Sequence, residues 1–152
     1  MATMESQDIA SQVQRLADIE AIKQLKAEYI RLVDTQQWDA WARLFTEDCE
    51  LELDGGAVSG RDNTVAKVSG ALAGAKTVHR IHQPEVTITG ADSASARWPM
   101  SDFVRGTFGG KRLTINGHGY YHEDYVRTVD GWRVKRSQLI RQFVEMVPTA
   151  ED

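Results

Sequence analysis

The sequence predicts an α+β fold in which N-terminal helices cover one face of a curved, mostly antiparallel sheet that leaves a pocket at its open end. Three observations carry this: a three- and four-residue apolar period through the first third, a switch to two-residue alternation near position 49, and hairpin signals between long strand-like runs. In the first third, Ile9, Val13, Leu16, Ile19, Ile22, Leu25, Tyr29 and Leu32/Val33 form one buried stripe. Asp18 stands where a cap would divide that stripe into two helices. "TQQWDAWARLF" restarts the period, with Asp39 as N-cap and Trp41, Leu44 and Phe45 facing inward. "CELELD" then alternates Cys49, Leu51 and Leu53 against Glu50, Glu52 and Asp54, a half-buried strand stopped by Gly55-Gly56. "GRDNTVAKVSGALAGA" reads as a short, weakly helical excursion. Strand-like runs follow at about 79–90, 93–107, 112–128 and 131–146, the last introduced by an Asp130-Gly131 hairpin turn.

The 152 residues fit one domain, 1–152, with no repeat, low-complexity tract or linker to divide it. A net charge of −4 with scattered basic residues argues against nucleic acid, which needs a basic face. No apolar run approaches the roughly 20 residues of a membrane span. The opening "MATMESQDIASQ" is acidic and polar, unlike a secretory leader. A lone cysteine, Cys49, excludes an internal disulfide and disfavours structural zinc, so a reducing cytoplasm is expected.

The chemistry is sought among polar residues on faces that should be apolar. Asp34 lies at the edge of the helical stripe in the last turn, where the helix dipole disfavours negative charge; partial burial there predicts a raised pKa and a stronger base. A solvated aspartate closing the helix is the plainer alternative. Asp102 shares strand parity with Trp98, Met100 and Val104, or turns outward if the parity slips at Pro99, and Arg141 shares it with Leu139 and Phe143. Arg141 is the natural cation for a buried carboxylate or a substrate oxygen, or else lies along the sheet edge. "GHGYYHEDY" offers Tyr121, His118 and His122 as substrate contacts, and which of its rings faces inward stays open. His79 and His82 form HxxH, which on a strand puts the rings on opposite faces and does not match the HExxH of zinc hydrolases. No metal is expected.

"AEYIRLVDTQQWDAWARLFTEDCELEL", "TVHRIHQPEVTITGADSASARW" and "GYYHEDYVRTVDGWRVKR" together resemble the SnoaL-like domain of the nuclear-transport-factor-two-like superfamily, over roughly residues 15 to 145. Within it the chain is most similar to the scytalone dehydratase and bile-acid dehydratase relatives. The resemblance implies a cone-shaped barrel and a catalytic pair of Asp34 and His79, with Tyr29 and Asp102 matching further site positions. A second catalytic histidine of scytalone dehydratase has no counterpart here. The implied activity is a cofactor-independent lyase, of dehydratase type, acting on a hydrophobic cyclic, aromatic, polyketide- or steroid-like small molecule. His79, oriented by Asp34, would be the base and would return the proton to the leaving oxygen; Tyr29 and Tyr121 would hold an enolate oxygen, and Asp102 would be the other donor to the leaving group if its pKa is raised. Trp38, Leu53, Trp98, Met100 and Phe143 would shape the pocket. Isomerase, cyclase, epoxide hydrolase, retro-aldol and ligand-binding roles belong to the same group, and similar proteins form dimers and trimers.

Overall fold

The computed structural model describes residues 3–150. One helix, α1 (Met4–Asp34), runs unbroken for 31 residues, capped by Thr3, whose hydroxyl accepts from the Ser6 amide. Asp18 does not start a second helix. Its buried carboxylate accepts hydrogen bonds from Gln14, Arg127 and Trp132, and so ties the middle of α1 to the far end of the sheet. The apolar stripe meets the sheet only from this point onward. Ile9, Val13 and Leu16 are 56%, 59% and 64% exposed, against the inward packing their spacing predicts. Local periodicity defines a helix face but not how far the partner extends.

After α1 come α2 (Trp38–Ala42), β1 (Phe45–Leu53), β2 (Gly56–Ser59), α3 (Arg61–Ala71), β3 (Lys76–Ile81), β4 (Glu85–Gly90), β5 (Ser93–Phe108), β6 (Lys111–Thr128) and β7 (Gly131–Pro148). The N-cap of α2 is Gln37 rather than Asp39, which falls in the first turn where its charge favours the helix dipole. The expected run from 79 to 90 is two strands, because the chain leaves the sheet at His82–Pro84, where proline brings no N–H to a ladder. The strand order is β2-β1-β7-β6-β5-β3, with β4 also paired to β5. All pairings are antiparallel except β1 with β7. The result is a curved mixed sheet of seven strands that is open at its edges, not a closed cone. Its concave face and α1 enclose a core built around Ile22, Leu32, Trp41, Phe45, Leu51, Trp98, Tyr125 and Val134.

A bulge in β7 sets which side chains reach the site. Arg141 pairs with Gly119, yet Phe143 pairs with His118, so Gln142 is an extra residue. The bulge carries Leu139 and Arg141 on the inner face and then turns Phe143 outward, 57% exposed and 6.2 Å from the His118 ring. The shared parity expected for Arg141 and Phe143 therefore fails. Gly119 permits the bulge, since a Cβ there would stand 2.2 Å from the Ile140 carbonyl oxygen.

Candidate functional site

The end of α1 is pinned to the start of β3. Gln36 adopts a left-handed backbone (φ 53°), and its amide donates to the Leu72 and Ala75 carbonyls in the loop before β3. This lays Asp34 beside Thr77 and His79. The Asp34 carboxylate accepts from the Thr77 hydroxyl at 2.8 Å and the His79 backbone N–H at 2.9 Å, and its Oδ1 lies 2.6 Å from His79 Nδ1. Burial pushes the Asp34 pKa up, but the hydrogen bonds from His79 and Thr77 outweigh it and hold the carboxyl below its usual value. The raised pKa predicted from helix position is thus reversed: the dipole and burial are answered by three donors. An ionised carboxylate only accepts, so the Nδ1 atom carries the imidazole proton and Nε2 keeps its lone pair. The His79 side chain is 10% exposed.

Nε2 faces Asp102 Oδ2 across 3.9 Å. Asp102 stands opposite His79 in the β3–β5 register and is itself buried. It is not alone. Arg141 Nη1 and Nη2 donate to its two oxygens at 2.9 Å each, a fork-to-fork ion pair. The same guanidinium turns its Nε and Nη2 to Asp54, at the end of β1, and its remaining Nη1 hydrogen to the Met100 sulfur at 3.8 Å. Burial lowers the Arg141 pKa, but Asp54 and Asp102 together hold it above its usual value. Every N–H of Arg141 is engaged, leaving none for a ligand.

Room for this fork comes from Gly117, the β6 partner of Asp102. A Cβ there would fall 2.2 Å from Arg141 Nη1 and 2.3 Å from Asp102 Oδ1. Gly117→Ala is therefore expected to separate the pair and to cost about 1–3 kcal/mol of stability, as overpacking does. A urea titration checks it, and an unchanged midpoint would show that the fork yields freely.

A cavity of about 500 Å³ opens over these groups. Its walls are mainly apolar, from Val33, Trp41, Leu53, Val68, Leu72, Val104, Phe108, Ile115, Leu139, Val144 and Met146. Tyr29, Tyr121, His79, Asp102, Arg141 and Asp54 give it a polar side. At the rim Lys67 donates to the Gly55 and Gly56 carbonyls at 2.8 Å each, fixing the turn that carries Asp54. Among the described residues, no three His, Cys, Asp or Glu side chains converge on a metal position.

Of the residues singled out from sequence, His79, Asp34, Tyr29, Asp102, Tyr121, Leu53 and Arg141 come together here, Asp34 meeting the cavity through His79. The others do not. Trp98 lies in the core, its indole N–H donating to the Tyr125 hydroxyl at 2.9 Å. Trp38 packs on Trp41, ring centroids 5.8 Å apart, outside the cavity wall. Met100 touches the site only through Arg141. His118, Tyr120 and His122 alternate onto the outer face of β6, opposite buried Gly117, Gly119, Tyr121, Glu123 and Tyr125. His122 there borders a separate polar groove with Arg97, Asp124 and Arg136. His82 is exposed just past β3. Sequence reasoning missed Thr77, Asp54 and Lys67. Asp54 was placed on the solvent side of an alternating strand, and nothing local reveals that Arg141 reaches it.

The architecture that gathers these residues is shared. Proteins of Mycobacterium tuberculosis and Mycobacterium bovis, both uncharacterised, are 30% identical over 139 residues, covering 89% of this chain and 92% of theirs. A crystal structure from Novosphingobium aromaticivorans, provisionally assigned as a scytalone dehydratase, superposes with a TM-score of 0.80 at 20% identity, over 91% of this chain and 93% of that one. A hexachlorocyclohexane dehydrochlorinase from Novosphingobium barchaimii gives 0.77 at 18% identity, over 90% and 94%. These likenesses establish the fold. The model of the SnoaL-like domain matches residues 14–138, from the first third of α1 into β7, and the chain belongs to that family.

Proposed function

We propose that the chain is a cofactor-independent lyase that removes water from a neutral, largely hydrophobic ring compound carrying a carbonyl and a β-hydroxyl group. One observation supports this above the rest: an imidazole whose Nδ1 proton is held by Asp34, and whose Nε2 lone pair faces an apolar cavity. In this reading His79 Nε2 takes the proton from the carbon beside the carbonyl, and the electron pair moves into an enolate whose oxygen lies at the tyrosines. The enolate then re-forms the carbonyl with a new C=C bond as the C–O bond breaks. The hydroxyl leaves with the proton that His79 had taken, and the net change is loss of one water. Asp34 keeps the ring in the required tautomer and balances its charged form.

Of the two proton donors expected for the leaving group, His79 is favoured over Asp102. Asp102, forked to Arg141 through both oxygens, is poorly placed to be an acid, so both proton transfers go to His79. Its Oδ2 stands 3.9 Å from Nε2, beyond hydrogen-bond distance. Halide loss, the activity of the dehydrochlorinase neighbour, is disfavoured. A departing anion would face Asp102 and Asp54, with Arg141 already engaged by both.

Incubation with cyclic β-hydroxy ketones in ¹⁸O-water tests the reading. A conjugated enone, seen by its new ultraviolet absorbance, without solvent oxygen in the product is expected. Solvent oxygen in a ring-opened product would mean hydrolysis. Unchanged substrate at saturating occupancy would mean a binding protein.

A further inference from the structure

Behind the cavity lies a charge pair that the chemistry above does not use. Lys26 and Glu123 side chains are both fully buried, with Nζ 2.5 Å from Oε1. Glu123 also accepts from the Ser137 hydroxyl at 2.8 Å and from the Tyr125 hydroxyl, which in turn accepts from Trp98. Its carboxylate is therefore held on the side away from the pocket. The ammonium, on the other side, sits over two aromatic faces at once, 3.9 Å from the Tyr29 ring centroid and 3.7 Å from that of Tyr121.

Those are the two tyrosines that line the cavity. Among the described residues neither phenolic oxygen has a protein hydrogen-bond partner, and neither is sealed from the cavity: the sealed, unpartnered side-chain atoms are Trp41 Nε1 and Thr46 Oγ1. So the order in space is Glu123, Lys26, two phenol rings, cavity. A buried ion pair of this kind gives little net stability against apolar residues of the same shape, so stability alone does not account for it. Its orientation does have an effect. A cation on the ring face draws electron density from the phenol and strengthens its O–H as a donor, while burial, with Glu123 nearby, pushes both phenol pKa values up and keeps the hydroxyls protonated to donate.

We propose that Lys26 is a positioning residue, which through the rings of Tyr29 and Tyr121 makes the cavity a binding site for the oxyanion form of an enol or phenol. The inference rests on the elimination reading for its catalytic purpose, since it identifies what stabilises the enolate. It does not rest on it for binding. The site then takes ring ligands whose oxygen is neutral in water and becomes negative when bound, rather than ligands carrying a permanent carboxylate or phosphate, for which Arg141 has no free N–H.

The test uses 4-nitrophenol, whose ionised and neutral forms differ in colour, bound to the full chain at a pH near the phenol's own pKa. The wild type is expected to hold the probe mainly as phenolate. The double variant Lys26→Met/Glu123→Gln removes the dipole but keeps shape and the Ser137 contact, and is expected to shift the bound ratio toward neutral phenol by about tenfold or more. Tyr121→Phe, which leaves Lys26 in place, is expected to shift it the same way. Lys26→Arg, retaining a cation, is expected to keep the phenolate. A merely structural role would weaken both forms alike and leave the ratio unchanged. An equal ratio in wild type and double variant, or no binding by the wild type, overturns the proposal. If the ratios shift as expected while no cyclic hydroxy ketone is converted, the oxyanion site stands and the dehydratase reading fails. If substrate is converted, the double variant should lose turnover by about tenfold to a hundredfold with KM little changed.

Discussion

His79→Ala is expected to lower turnover by about 10²–10⁴-fold, the usual weight of a positioned general base, and Asp34→Asn by a comparable factor. The two losses have different causes. Alanine removes the imidazole whose Nε2 serves as the base beside Asp102. Asparagine keeps the size of Asp34 but replaces one acceptor oxygen with an NH₂ group. All three of its present partners donate: the Thr77 hydroxyl, the His79 amide and the protonated Nδ1. An amide nitrogen would meet one of those donors with another, or would reverse the tautomer so that Nε2 carries the proton. In either case the base is lost while its ring remains. Turnover of a cyclic hydroxy ketone, with circular dichroism to confirm the fold, checks both variants. Undiminished activity in either would remove the pair from the mechanism.

Lys26→Met alone is expected to destabilise the chain by about 3–5 kcal/mol, the largest stability effect of any single side chain discussed. The reason is what it leaves behind. Glu123 is 2% exposed and is held by Ser137 and Tyr125, which cannot neutralise it. Burial lowers the Lys26 pKa, and Glu123 opposes that shift. Adding Glu123→Gln to Lys26→Met is expected to recover most of the loss. Denaturant midpoints of the single and double variants measure this. A single variant within about 1 kcal/mol of wild type would show that water or protonation relieves Glu123 at little cost.

Much of this site was legible in the sequence, for identifiable reasons. Asp34 closes α1 and His79 sits within β3, the two positions that the resemblance picks out. The inward face of Asp102 followed from simple alternation along β5, which no bulge interrupts before it. Phe143 was misplaced because one extra residue, Gln142, reverses parity, and bulges leave little trace in a string of apolar residues. The four-strand count failed at His82–Pro84, although the proline itself was a signal. Lys26 could have been found. It lies one turn from Ile22 and from Ile30 on the buried face of α1, as Glu123 lies between Tyr121 and Tyr125 on β6. A charge on each of two apolar faces calls for a partner, and each is the other's. Asp54 could not have been found, because its role depends on Arg141 of β7 reaching it from the strand paired with β1.

Gly117 gives the site a further property, which concerns how such pockets diverge. The fork between Asp102 and Arg141 exists because one position on β6 carries no side chain. A single added methyl there would push the guanidinium off its carboxylate and leave a cation with free N–H groups facing the cavity. One codon thus separates a fully paired Arg141 from one that offers free N–H groups to a ligand.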